Sequence, residues 1–219
     1  MKKYFFLLLA LSAVILGCSN NPVNSSKEQS IQPVAAVASG CTQSAAMKAW
    51  EALSQATRDQ KILSLATWEM GGYNTYNSGQ CWGWVYHVVS VASGCAVFIP
   101  LYDPNNMSMW QSAPCMPIQG RCTMIENCIP MDIIQMYWNV RMAGGTYKVT
   151  QHTAFFLNGN VTSNGVKGFF MLDCNFVPAP SGPKDNYIGI HFVSYSDFYS
   201  FTRPTTANPK LGYNVYHVQ

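Results

Sequence analysis

Cys81 is the residue in this chain best suited to nucleophilic chemistry. It follows the turn-forming stretch Asn77-Ser-Gly-Gln80 and precedes the apolar run Trp82-Gly-Trp-Val-Tyr-His87. The pattern predicts a helix that begins at Cys81 and is entered from a glycine-containing loop. A helix N-terminus offers N–H groups and partial positive charge, which together lower a thiol pKa. The same N–H groups can hold the oxyanion formed when a thiolate attacks a carbonyl. A thiol used in this way needs a base, a polar group to orient that base, and a groove.

Four histidines are available as the base: His87, His152, His191 and His217. His87 lies six residues after Cys81, and at about 100° per residue it projects from another side of the same helix. His191 falls within an apolar strand pattern and His217 near the C-terminus, and both read as half-buried or surface residues. His152 opens a predicted strand, His152–Leu157, after the polar stretch Lys148–Gln151. A strand end can project a side chain over the N-terminus of a packed helix. The orienting group is expected on the next strand, where Asp173 and Asn175 share a face with Met171 and Val177. A polar pair among apolar residues requires a partner, and a histidine on the neighbouring strand supplies one. An acceptor on Nδ1 would fix the tautomer and leave Nε2 to take the thiol proton. The alternative is that Asp173 and Asn175 only begin a turn before Pro178-Ala-Pro180.

These residues must be positioned by helices that come first and strands that come after. Residues 42 to 70 carry a helical pattern, with Thr57 and Gln60 matching a capping box. Met47, Trp50 and Leu53 form an apolar face that Ile62, Leu65 and Trp68 continue. The helix from Cys81 is predicted to reach about Ala92 and stop at Ser93-Gly94. Strands are expected at Asp132–Trp138, His152–Leu157, Gly168–Val177, Ile188–Val193 and Gly212–Val218. Residues 139 to 151 are expected as a connection, Asn158-Gly-Asn160 as a turn with Asn164-Gly165 close behind, and Ser196–Tyr199 as a short turn or helix. Helices followed by an antiparallel meander define an α+β fold. Residues 95 to about 130, with Pro114, Pro117 and the cluster of Cys115, Cys122 and Cys128, read as a stapled insertion that forms a lid or groove wall.

The chain has 219 residues, 48% of them hydrophobic, so one sizeable core is expected. The formal charge is +3, and Lys2 and Lys3 belong to a segment expected to be removed. The near-neutral remainder argues against nucleic acid as a partner. Lys2 and Lys3 followed by the apolar run Tyr4–Ile15 predict a secretory signal over residues 1–17, too short for a comfortable membrane span. Ile15-Leu-Gly-Cys18 resembles a bacterial lipobox, which implies lipidation of Cys18, attachment to a membrane through that lipid, and a place in the periplasm, outer membrane or cell surface. Residues 18–40, rich in Ser, Asn, Pro, Gln and Ala, read as a tether, and 41–219 as the domain. Of eight cysteines, setting aside Cys18 and Cys81 leaves Cys41, Cys95, Cys115, Cys122, Cys128 and Cys174. An even set in an exported protein predicts up to three disulfides, with Cys81 remaining a thiol. Cys115, Cys122 and Cys128 lack a CxxC pair, so no metal site is expected, and nothing calls for a cofactor.

The order of these elements resembles the NlpC/P60 and CHAP superfamily of papain-like cysteine hydrolases, many of which cut peptidoglycan. The resemblance is carried by Gly79-Gln-Cys-Trp82, Pro130-Met-Asp-Ile-Ile-Gln135, His152-Thr-Ala-Phe-Phe156 and Leu172-Asp-Cys-Asn-Phe176. It covers residues 57 to 218. Met131 stands where that family usually has glycine, and Gln151 where a glycine often precedes the histidine. The cysteine-rich stretch from Cys95 to Cys128 departs from the family core. The resemblance implies a papain-like fold and hydrolysis of amide bonds in peptidoglycan peptides. Cys81 would be the nucleophile, His152 the base, and Asp173 or Asn175 the third residue. The Cys81 N–H would bind the oxyanion, and Gln80, Tyr73 and Tyr76 would line the site.

Two other readings compete with this one. The same fold could serve acyl transfer or amide hydrolysis on small molecules. Alternatively, the chain could be a disulfide-rich surface lipoprotein that binds a partner or wall glycan without catalysis, and a disulfide at Cys81 would favour that reading.

Overall fold

Among the described residues, three helices precede the sheet. α1 (Ala45–Glu51) and α2 (Gln55–Glu69) are followed by α3 (Cys81–Ala92). The computed structural model describes residues 45–76, 80–97, 99, 118–120, 124–141, 147–175 and 186–219, all within the compact unit that spans 36–219. The predicted signal, Cys18, the tether, Cys41, Cys115 and Cys122 lie outside the described residues.

The α2 N-cap is Ser54, whose hydroxyl accepts from the Thr57 N–H at 3.2 Å. The helix therefore starts before the predicted Thr57–Gln60 box, which falls inside its first two turns. Ile62 and Ala66 form the buried stripe, four residues apart and so stacked on adjacent turns. Trp68 points the other way and is 85% exposed, so the predicted apolar face does not extend to it. α3 matches its prediction at both ends. Val85, Val88 and Val89 are fully buried, and Ser93 and Gly94 close the helix with Gly94 in the left-handed region at φ 63°.

Six strands follow: β1 (Ile118–Gly120), β2 (Ile133–Arg141), β3 (Tyr147–Ser163), β4 (Val166–Cys174), β5 (Ile188–Ser194) and β6 (Gly212–Val218). They form one antiparallel sheet in the order β1-β6-β2-β3-β4-β5. The fold is α+β, with β2 to β5 as the expected meander. β6 returns to the other side of the sheet and lies between β1 and β2 rather than beside β5. The predicted insertion contributes β1, which pairs with β6.

β3 differs most from its prediction, since it begins five residues earlier and ends six residues later. Asn158-Gly-Asn160 is absorbed as a pair of register shifts within the ladder rather than making the turn. The hairpin turns at Asn164-Gly165, where φ values of 49° and 78° give the left-handed pair that suits twisted strands. β2 starts at Ile133, so Asp132 precedes the strand.

Alternation along the strands separates two cores. Ile133, Phe155, Leu172, Cys174 and Ile188 pack with the three helices. Ile134, Met136, Trp138, Phe156, Phe169 and Met171 pack on the other face with Phe198 of α4 (Tyr195–Thr202).

Cys81, Cys95, Cys128 and Cys174 are thiols rather than disulfides, which corrects the predicted pairing for the three of its members that the structure describes. Cys174 belongs to the helix-side core and Cys128 to the opposite one. Cys95 is exposed past the end of α3 at φ 62°. A disulfide needs Cβ vectors that point toward each other, and side chains on opposite faces of a sheet point apart.

Candidate active site

Cys81 is the first residue of α3, with Gln80 as an extended N-cap (φ −70°, ψ 144°) that makes no side-chain capping bond. The thiol is 9% exposed. It reaches the gap where β3 and β4 part: their pairing stops at Phe155↔Leu172. Beyond that pair, His152 is held in register by β2 opposite Met136 and Asp173 by β5 opposite Gly189. The two side chains meet across the gap. His152 Nε2 lies 2.5 Å from Asp173 Oδ2. His152 is 5% exposed and Asp173 fully buried.

This geometry corrects two details of the sequence reading. His152 stands inside β3, with Tyr147–Gln151 ahead of it, and not at the strand mouth. The carboxylate also takes Nε2 rather than Nδ1, so Nδ1 is the nitrogen left for the thiol.

The electrostatics favour a thiolate–imidazolium pair. Burial alone would push the Cys81 thiol up. The charge of His152, a hydrogen bond from its ring and one from the Thr153 main chain outweigh burial and hold the thiol below its ordinary range. Burial of His152 likewise disfavours its cation. The charges of Asp173 and Cys81, with hydrogen bonds to both, reverse this and raise its pKa to about 10.

Two residues around this pair carried no functional signal in the sequence. The Trp138 indole stacks on the His152 ring, with centroids 5.3 Å apart and planes 14° from parallel. It is 1% exposed, so it keeps water off that face and offers its π-cloud to the cation. His191 Nδ1 lies 3.5 Å from Asp173 Oδ1, placing a second imidazole behind the carboxylate. Burial, aided by the nearby His152 cation, lowers the pKa of His191 and keeps it neutral against the pull of Asp173. The β4–β5 register places it there, since His191 faces Met171 across the ladder and thus shares the side of Asp173.

The other predicted site residues are placed elsewhere. Asn175 lies past the end of β4 in the left-handed region (φ 76°), and its Oδ1 accepts from the Asn186 N–H. Asp173 therefore contacts His152, while the Asn175 side chain is engaged by the Asn186 main chain. Tyr76 stacks on His87 with ring centroids 3.4 Å apart, and Tyr73 packs edge-on against Tyr187. Both are loop aromatics beside α3 and β5. His87 Nε2 bonds Glu69 at 3.2 Å, and His217 Nδ1 bonds Asp132 at 2.7 Å, so neither joins Cys81.

A groove between α2 and α3, lined by Gln60, Lys61, Ser64, Leu65, Trp68 and Val91, lies toward the far end of α3 from Cys81. Its walls carry no histidine, cysteine or carboxylate, so chemistry locates the site at the β3–β4 gap instead. Among the described residues, no group of three or more His, Cys, Asp or Glu side chains is arranged to hold a metal ion. A scan against protein-family models and searches of curated proteins and of solved structures found no match to this chain.

Proposed function

We propose that this chain is an exported cysteine hydrolase of the papain-like NlpC/P60 or CHAP type. It cleaves amide bonds in peptidoglycan peptides, with Cys81, His152 and Asp173 as its triad. The observation that carries this reading is the continuous contact from the Cys81 thiol, at the start of α3, through the His152 ring to buried Asp173. The order Cys, His, Asp along the chain and the motifs around each residue support the family. The lipobox-like Leu16-Gly-Cys18 supports anchoring at the cell envelope.

The chemistry follows from the charges. The Cys81 thiolate attacks the amide carbonyl, and the carbonyl electrons move onto oxygen. The first-turn N–H of α3 holds that oxyanion. The His152 imidazolium, kept protonated by Asp173, gives its Nδ1 proton to the leaving amine as the C–N bond breaks. A thioester on Cys81 remains. Neutral His152 then takes a proton from water, whose oxygen attacks the thioester. Collapse releases the acid and restores the thiolate–imidazolium pair. Trp138 limits solvent beside the ring throughout.

The test is digestion of purified muropeptides followed by mass spectrometry. The wild-type protein should release shorter peptides or free stem peptides, and Cys81→Ala should release none while keeping its fold. Equal hydrolysis by the alanine variant would sink the assignment. Acyl transfer to an amine, with no net hydrolysis, would redirect it to a transferase on the same triad.

A further inference from the structure

The peptide that delivers Cys81 is held by one side chain of the preceding loop. Asn74 is 2% exposed. Its Nδ2 donates to the Gln80 carbonyl at 2.9 Å and to Cys174 Sγ at 3.5 Å. Its Oδ1 accepts from the Tyr76 N–H at 2.8 Å, and its own N–H donates to the Asn186 carbonyl at 2.7 Å. The Tyr76 contact fixes which end of the amide faces Gln80, because a backbone N–H requires the oxygen.

The Gln80 carbonyl has a second donor, the Trp84 N–H at 3.1 Å, which forms the first hydrogen bond of α3. A peptide unit is planar and trans, so its C=O and N–H point in opposite directions. Drawing the Gln80 oxygen toward Asn74 and Trp84 turns the Cys81 N–H the other way, out from the helix end. Gln80 supplies no side-chain cap, which leaves the amide of Asn74 as the side chain that grips this peptide.

We propose that Asn74 is a positioning residue. Its amide locks the Gln80–Cys81 peptide so that the Cys81 N–H is directed at the oxyanion of the acylation step. This rests on the reading of Cys81 as the nucleophile. The contribution is confined to reactions that build an oxyanion. Alkylation at a saturated carbon builds none, and the contrast between the two reactions isolates the role.

The full chain and two variants, Asn74→Asp and Asn74→Ala, are assayed in two ways. Acylation of Cys81 by p-nitrophenyl acetate is read as the nitrophenolate burst, and alkylation of Cys81 by iodoacetamide as mass gain. Asn74→Asp keeps size and the acceptor for Tyr76 but sets a carboxylate against the Gln80 oxygen. Asn74→Ala adds no charge, so it is the variant in which alkylation is compared. Acylation is expected to fall about 100-fold in both, the scale of one lost oxyanion donor. Alkylation of Asn74→Ala is expected to stay close to wild type. Equal loss in the two reactions, or loss in neither, would overturn the proposal. Failure of both variants to fold, read by near-ultraviolet circular dichroism, would overturn it too, since Asn74 would then serve stability. If wild-type Cys81 resists iodoacetamide near neutral pH, the nucleophile reading has failed before Asn74 is tested.

Discussion

His152 and Asp173 meet through Nε2 and Oδ2 at 2.5 Å, in a pocket where Asp173 has no solvent exposure. A carboxylate in such a place is costly unless a cation faces it, and the imidazolium of His152 is that cation. The contact occupies Nε2 and leaves Nδ1 for the thiol. Asp173→Asn preserves the shape and can still accept the Nε2 proton through its amide oxygen, but it removes the charge. The His152 pKa, raised to about 10 in the native site, should fall, and acylation of Cys81 should slow by about 100-fold, the lower range for a positioned general base. Nuclear magnetic resonance titration of the labelled imidazole checks the first part, and burst kinetics the second. A His152 titration unchanged by the substitution would show that Asp173 does not control the ring.

The two perturbed groups also set a pH window. His152 is raised from 6.5 to about 10, so its contribution to stability is complete below 6.5 and lost as pH rises through about 10. Cys81 is lowered from its ordinary 9.0, so its contribution is present above that ordinary value and lost as pH falls through the native one. The reactive ion pair exists between the two native values. Iodoacetamide should therefore label Cys81 at pH values where an ordinary thiol is protonated, and acylation should decline near pH 10 as the imidazolium is lost. Cys174, whose pKa is pushed up strongly by burial and by the neighbouring Cys81 charge, should label far more slowly. Labelling of Cys81 that follows a single ordinary thiol titration would contradict the ion pair.

Local signals made α3 and β6 legible. Ser93-Gly94 stops one, and the pattern of Gly212–Val218 bounds the other. They failed where tertiary pairing overrides local chemistry. Lys148, Thr150 and Gln151 read as a loop, yet β2 pairs with each of them and carries β3 past His152. Asn158-Gly-Asn160 has turn chemistry, but β4 pairs on both sides of it. Cys81, His152 and Asp173 could be singled out as candidates because helix start and strand parity are local. Trp138 and His191 were missed because a ring stack and a cross-strand diagonal depend on register, which local patterns do not specify. The cysteine count misled for a similar reason, since an even number does not place Cys128 and Cys174 on the same face of a sheet.

Asp132 is a structural carboxylate, despite its place in a family-like motif. Its Oδ1 is hydrogen-bonded to His217 Nδ1 at 2.7 Å, its Oδ2 accepts from the Ile129 N–H at 2.8 Å, and it is fully buried. His217 Nε2 also lies 3.5 Å from Asp59, so β6 is tied both to the segment leading into β2 and to α2. Asp132→Ala strands a buried histidine and an N–H together. Stability to urea should drop by about 3 kcal/mol, while iodoacetamide labelling of Cys81 in the folded fraction stays at the wild-type rate. A large loss of Cys81 reactivity with stability intact would place Asp132 in the reaction instead.

Met131, immediately before Asp132, opposes two effects of similar kind and different size. Its φ of 70° lies in the left-handed region, which costs a side-chain-bearing residue about 1 kcal/mol. Its side chain is 1% exposed in the helix-side core, and truncating a buried methionine costs about 2–5 kcal/mol. Burial outweighs strain, so methionine is favoured at this position over glycine. Met131→Gly relieves the strain but loses the packing, and should destabilise the protein by about 2 kcal/mol. Met131→Ala loses the packing and keeps the strain, so it should fall about 1 kcal/mol below the glycine variant. That order reverses the usual advantage of alanine over glycine. Chemical denaturation of the three proteins decides the matter, and an alanine variant more stable than the glycine one would mean that the backbone at 131 is not held left-handed.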